Sequence, residues 1–191
     1  MSEEIRGANS NVVDVYSLGN WDKEADSVSY LDKIIRSTSL FTIYPEITGN
    51  LLFMKPHQKQ QGMRIDMIIS PKPAMVLAGW DRGAIGIECK KSGEKINHAF
   101  AQACDYSNTL WQLPNGFTTM CEFSFLWPFP KMGGFAASQM AQCKIGTLSH
   151  KDGNWPVLKF FCGESKVIKI DLTNNQVEIG KLNFGNKTGS R

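Results

Sequence analysis

The 191-residue sequence has no cysteine pair at CxxC spacing, and its three histidines, His57, His98 and His150, stand far from one another. Its five cysteines, Cys89, Cys104, Cys121, Cys143 and Cys162, are an odd number set 15 to 22 residues apart. That pattern argues against a disulfide framework or a structural zinc site and leaves buried, reduced thiols as the expectation. No apolar run approaches the ~18–20 residues of a membrane span, so an integral membrane protein is not expected. The opening MSEEIRGANSN lacks the basic-then-apolar order of a secretory leader, which predicts a cytoplasmic, intracellular location. A Walker-type phosphate loop is also missing, so ATP-driven action by this chain alone is not expected. Without a repeat, a low-complexity tract or a long Pro/Gly/Ser linker, residues 1–191 read as one domain, with a loose first dozen residues and a loose GNKTGSR tail.

What is present suffices for a core. The chain is 42% hydrophobic and carries 11 Phe and 5 Trp, enough buried apolar surface to offset chain entropy. Net charge is only +3, but it is segregated. Residues 1–50 hold four basic and eight acidic side chains, whereas residues 51–100 hold eight basic and four acidic, and residues 131–170 hold six lysines against Asp152 and Glu164. Such segregation fits a side that faces a polyanion, and it also fits an ordinary solvated surface.

The pattern predicts a mixed α/β (α+β) chain. Asp22 to Ser37 reads as a helix, with Val28, Leu31, Ile34 and Ile35 at helical spacing. Phe41 to Thr48 reads as a strand in which Pro45 marks an edge or a bulge. LLFMKPHQKQQGM is then a strand end and loop. RIDMIIS (64–70) is a β run, PKP interrupts it, AMVLAGW (74–80) resumes it, Asp81-Arg82-Gly83 turns, and AIGIECK (84–90) is another strand. The composition of residues 96–113 predicts a helix stopped by Pro114-Asn115-Gly116. Further strands are expected at 118–127, 157–162, 166–172 and 176–184, with a helical patch at 135–142.

Three ionisable residues stand out in this frame. Alternate side chains of a strand share a face, so Glu88 and Lys90 project together, at the end of the apolar run AIGI. Asp66 lies in the preceding β segment, and if the two segments pair, both carboxylates converge at one end of the sheet. Two carboxylates with a lysine beside them suit Mg²⁺-assisted hydrolysis of a phosphodiester: hard oxygen ligands hold the ion, and an ammonium orients water or neutralises phosphate charge. A plain Glu88–Lys90 surface ion pair is the competing reading. In the following helix Gln102 and Tyr106, four apart, stack on one face.

Asp66 in RIDMIIS, the E-x-K of GIECKK and the Gln102-xxx-Tyr106 pair resemble the motifs of the PD-(D/E)XK nuclease superfamily. More narrowly they resemble its branch with an added Q-x-x-x-Y motif, which includes bacterial recombination nucleases and lambda-type exonucleases. The match spans roughly residues 64–106. It implies a restriction-endonuclease-like three-layer core, a central mixed sheet flanked by helices, here with extra C-terminal strands. It implies Asp66 and Glu88 as metal ligands, the Cys89 backbone carbonyl completing the shell, and Lys90 as the catalytic lysine. Gln102 and Tyr106 would support the site or touch substrate. Ile65 stands where the superfamily often has proline. For the further acidic residue that the family often carries upstream, Glu24, Asp26 and Glu46 are candidates, with Glu46 favoured as a weak metal ligand because its strand borders the site.

Lys91, Lys95 and Arg64 could grip phosphate oxygens without reading sequence. Trp80, Trp111 and Trp127 could stack on bases or fill the core, His98 could be a base or an ordinary helix histidine, and Gly133-Gly134 a hinge or a turn. The expectation is therefore a nuclease acting on nucleic acid, DNA first, with Mg²⁺ and with Mn²⁺ able to substitute. A homodimer or higher oligomer is compatible and no membrane partner is expected. The alternatives are an RNA endonuclease on the same core and a non-catalytic nucleic-acid-binding or assembly protein that retains the fold.

Overall fold

The computed structural model describes residues 21–52, 62–80, 83–92, 94, 96–128, 144–151, 157–162 and 166–181. At its centre is the strand β3 (Ala84–Cys89), every residue of which is buried. Its alternation sets up two faces. Ile85, Ile87 and Cys89 join one apolar cluster, while Ala84 joins another on the opposite side.

Around β3 the chain runs α1 (Glu24–Ser37), β1 (Phe41–Leu51), β2 (Gly62–Pro71), α2 (Pro73–Leu77), β3, α3 (Ile96–Tyr106), β4 (Thr109–Gln112), β5 (Thr118–Thr119) and β6 (Cys121–Trp127). It continues through β7 (Ile145–Lys151), β8 (Val157–Cys162), β9 (Lys166–Asp171) and β10 (Gln176–Lys181). Among the described residues the ten strands form one mixed sheet in the order β10-β9-β8-β7-β6-β3-β2-β1-β4-β5. The β3–β6 and β6–β7 pairs are parallel, and all other neighbours are antiparallel.

The helix α1 forms where the sequence predicts it, because Leu31 and Ile35 fall four apart and both bury fully. They pack with Met67, Ile69, Ile85, Ile87, Phe123, Phe125 and Trp127 in the larger core, which extends to Ile168 and Ile170 of β9. On the opposite face of the sheet, Ala99 and Ala103 of α3 pack on Leu126 and Ile145, and Tyr106 packs with Ile65, Ile68 and Trp111. Two glycines permit close approach. A Cβ at Gly49 would come within 2.7 Å of the Leu110 carbonyl oxygen, and one at Gly86 would lie 2.7 Å from Ile65 Cδ1 and 3.1 Å from Cys121 Sγ.

Several expectations need correction. The segment 74–80 does not resume as a strand: Pro73 presets the first helical position, and α2 follows until Gly79, at φ 100°, ends the turn. Of its side chains Met75 and Trp80 are buried and Leu77 is exposed, so no alternating face exists. The helix predicted over 96–113 stops at Tyr106. Asn108 Nδ2 and Thr109 Oγ1 donate to the Cys104 and Asp105 carbonyls, and the β-branched Thr109 then leads into β4, where buried Trp111 pairs with Gly49. The strand expected over 118–127 is two, β5 and β6, broken at Met120. The strand β7 was not anticipated. Pro45 lies beside an irregularity, since Glu46 has φ 50° and interrupts the β1–β2 pairing between Pro45–Met67 and Ile47–Ile65. The Asp81-Arg82 part of the turn, the loop after Leu52 up to Gln61, Gly133-Gly134, the helical patch 135–142 and the two loose ends lie outside the described residues. No helix among the described residues is long and apolar enough to cross a membrane.

Candidate functional site

The β2–β3 register brings the sequence-selected acids together. Met67 pairs with Ile87, and one step further in the same antiparallel register Asp66 lies level with Glu88. Directly opposed residues of adjacent strands have Cβ atoms about 4.5–5.5 Å apart. Glu88 is 3% exposed, an expensive place for a carboxylate unless it is bonded. Lys90 Nζ sits 2.5 Å from its Oε1, and the Tyr106 hydroxyl of α3 donates to its Oε2. That hydroxyl also lies 3.3 Å from the Arg64 carbonyl oxygen of β2. Asp66 Oδ2 accepts the Cys89 backbone N–H at 2.7 Å, so Asp66 is fastened to the strand that carries Glu88.

A third carboxylate arrives from α1. Glu24 Oε2 is 3.5 Å from Lys90 Nζ, which places the ammonium between two glutamates. Lys90 is held at its backbone too, since its N–H donates to the Trp127 carbonyl of β6 at 2.7 Å. The cluster thus stands at the carboxyl end of β3, beside its parallel neighbour, which is where sites in sheets with parallel strands commonly form.

The electrostatics follow from burial and from crowding of like charge. Burial, then the neighbouring Asp66 charge, raises Glu88 from an ordinary 4.5 to about 6, although the bonds from Lys90 and Tyr106 pull the other way. Asp66 is raised by burial first, against the lowering effect of the Cys89 N–H. Burial alone would lower Lys90. Its bond to Glu88 and the charges of Glu88, Glu24 and Asp66 outweigh that and hold it above its ordinary value, so it is an ammonium at neutral pH. Burial and the Glu88 charge push the Tyr106 phenol far up, so it stays a donor. Burial drives the Cys89 thiol well above its ordinary value and Cys121 up to about 12, which leaves both thiols inert.

No family model, no curated protein and no solved structure matches this chain.

The site is therefore read from its own chemistry. Among the described residues no three His, Cys, Asp or Glu side chains are grouped to hold an ion, so the converging donors are the pair Asp66 and Glu88. The Asp66 charge raises the proton affinity of Glu88, and a cation shared by the two carboxylates would relieve that repulsion. A hard divalent ion such as Mg²⁺ fits this donor set, because it needs only one or two carboxylates and completes its shell with water and phosphate oxygens. A structural zinc, which wants four nitrogen or sulfur donors, does not fit.

The other selected residues divide. Gln102 lies one turn before Tyr106, and its Oε1 is buried without a hydrogen-bond partner among the described residues. Arg64 and Lys91 are exposed beside the cluster, and Lys95 lies outside the described residues. Glu46 lies level with Asp66 on the outer side of β2, but it is exposed and makes no hydrogen bond or ion pair among the described residues. The upstream acid that reaches the cluster is Glu24 and not Glu46, while Asp26 is exposed. Trp80, Trp111 and Trp127 are buried core residues, and His98 is exposed on α3. Sequence reasoning missed two supports. Trp111 Nε1 donates to the Tyr106 carbonyl at 3.1 Å with its ring edge-on to Tyr106, and Trp127 holds the Lys90 N–H. The only signal was aromatic residues at strand positions, which core packing explains equally well.

Proposed function

We propose that the chain is a divalent-metal-dependent nuclease with a restriction-endonuclease-like core, of the PD-(D/E)XK type with the added Q-x-x-x-Y motif. The observation that carries this reading is the convergence of Asp66, Glu88, Lys90 and Tyr106, from three separate segments, at the end of one buried strand. Residues chosen for their chemistry at separations of up to 40 positions meet there, and this supports the reading. A helix on each face of a mixed sheet is the setting such a core requires.

In this reading Asp66 and Glu88 hold the ion, with the Cys89 carbonyl available beside them. The ion, when bound, supplies Lewis acidity at the phosphoryl oxygen and a water of lowered pKa. Lys90, kept as an ammonium by its two glutamates, stabilises charge that builds on the phosphate. Tyr106 fixes the Glu88 carboxylate through its hydroxyl, and Gln102 Oε1, without a partner among the described residues, is available for a hydrogen bond at the same helix face. Exposed Arg64 and Lys91 neutralise backbone phosphates and so position substrate without reading its sequence.

The test is cleavage of DNA by the purified chain in Mg²⁺ or Mn²⁺, with its loss in EDTA. Lys90→Ala is expected to lower the rate by at least about 100-fold while keeping the wild-type circular dichroism spectrum. Undiminished cleavage by that variant overturns the mechanism. Cleavage of RNA but not DNA would move the substrate class, and nucleic-acid binding with no cleavage in any divalent metal would make the chain a binding protein.

A further inference from the structure

The Lys90 side chain is long and rotamer-rich, and the position of its ammonium matters to the proposed chemistry. Trp21, three residues before Glu24, exchanges two hydrogen bonds with Ser92, two residues after Lys90. The Trp21 N–H donates to Ser92 Oγ at 2.9 Å, and the Ser92 N–H donates to the Trp21 carbonyl at 2.9 Å. The two residues are 71 positions apart in sequence, so this clasp is a tertiary contact and not a local turn. It closes a short circuit, Trp21–Glu24 along one arm and Lys90–Ser92 along the other, joined at the far end by the Glu24–Lys90 ion pair.

The rest of the surroundings keep the circuit rigid. The Trp21 ring lies 5.1 Å from Tyr30 and 5.4 Å from Trp127, and Tyr30 stacks on Trp127 at 6.2 Å and 9°. Trp127 is the residue whose carbonyl holds the Lys90 N–H. At the start of α1, Lys23 in the N-cap position offers no side-chain bond. The Glu24 side chain is 43% exposed and its 3.5 Å pair with Lys90 contributes little to stability, so holding the ammonium in one place is what such a contact can do.

We propose that the Trp21–Ser92 clasp is a positioning device for Lys90. It holds Glu24 within reach of the ammonium, 3.5 Å away against 2.5 Å for Glu88, so that Glu24 keeps Lys90 in place when a divalent ion takes Glu88. Trp21 and Ser92 are positioning residues and touch neither substrate nor metal. The inference rests on the metal-site reading above, and it deepens that reading by naming what sets the balance of Lys90 between its two glutamates.

The test uses the full chain and Mn²⁺ alone, with affinity measured by titration calorimetry in the absence of nucleic acid. Ser92→Ala is expected to weaken Mn²⁺ binding about fivefold, Ser92→Thr to restore it, and Ser92→Ala to have no effect in a Lys90→Met background. Unchanged affinity in Ser92→Ala overturns the inference. An equal loss with and without Lys90 also overturns it, since the clasp would then act only on general structure. If Ser92→Ala does not fold, Ser92→Cys, which keeps the side-chain shape and replaces the hydroxyl with a weak acceptor, is judged by the same Lys90→Met comparison. Absence of Mn²⁺ binding in the unaltered chain would overturn the metal reading itself, and this inference with it.

Discussion

The two faces of β3 are built on opposite terms. Toward α1 the strand presents Ile85, Ile87 and Cys89 to a continuous apolar core. Toward α3 it presents Ala84, Gly86 and Glu88, two residues with little or no side chain and then a buried carboxylate. The first face can only stabilise. The second gives up apolar contact so that α3 can approach and bring Tyr106 onto Glu88. One strand of six residues thus separates the work of holding the sheet together from the work of holding a charge. Burial of Glu88 is tolerated because its two oxygens are bonded to Lys90 and Tyr106.

That contrast can be broken at several points. The largest effect on stability is expected from Ile87→Ala, which empties a fully buried site on the α1 face. Urea denaturation should give a loss of about 3 kcal/mol, with metal affinity retained. A loss under about 1 kcal/mol would mean that this face is not the stabilising one.

Glu88→Gln should show the reverse signature. Because the folded chain raises Glu88 from 4.5 to about 6, the native state binds more protons than the unfolded state in that window. Its stabilising effect is therefore complete below pH ~4.5 and is lost as pH rises through ~6, a change of about 2 kcal/mol. Asp66, also raised, adds in the same sense. Denaturation in EDTA across this range should fall with pH in the wild type and be flatter in Glu88→Gln, which should also lose metal binding. A variant whose pH profile overlays the wild type would remove Glu88 as the strained group.

The smallest effect sharpens the role of α3. Tyr106→Phe leaves Glu88 Oε2 without its donor and should cost about 1 kcal/mol in denaturation, with roughly tenfold slower cleavage. Gln102→Ala should change stability less, since its Oε1 has no partner among the described residues to lose. If Gln102→Ala proves the more destabilising, the Tyr106–Glu88 bond is not what fastens the helix to the site.

Much of this was legible in the residues. The 3.6-residue spacing of Leu31 and Ile35 dictated α1, and the apolar runs around Asp66 and Glu88 dictated β2 and β3. Convergence of the two acids follows if their segments pair; β2 and β3 do pair, and their register sets Asp66 level with Glu88. Errors came where local signals compete. Composition favours helix through Leu113, but Asn108 and Thr109 bond back to the last turn and hand the chain to β4, which tertiary pairing with β1 rewards. Between two apolar runs Pro73 reads as an interruption of strand, yet the first position of a helix suits proline equally well.

By itself the sequence determined which side chains could do chemistry and on which strands they sit, because charge type and residue period are local properties. It did not determine which upstream acid joins them. Glu46 is level with Asp66 yet exposed on an irregular stretch of β1, while Glu24 reaches Lys90 from a helix more than 60 residues away in sequence. That choice belongs to the packing of Trp21, Tyr30 and Trp127 and to the Trp21–Ser92 clasp. These contacts join distant segments, and only a folded sheet with α1 laid across its face brings them within bonding distance.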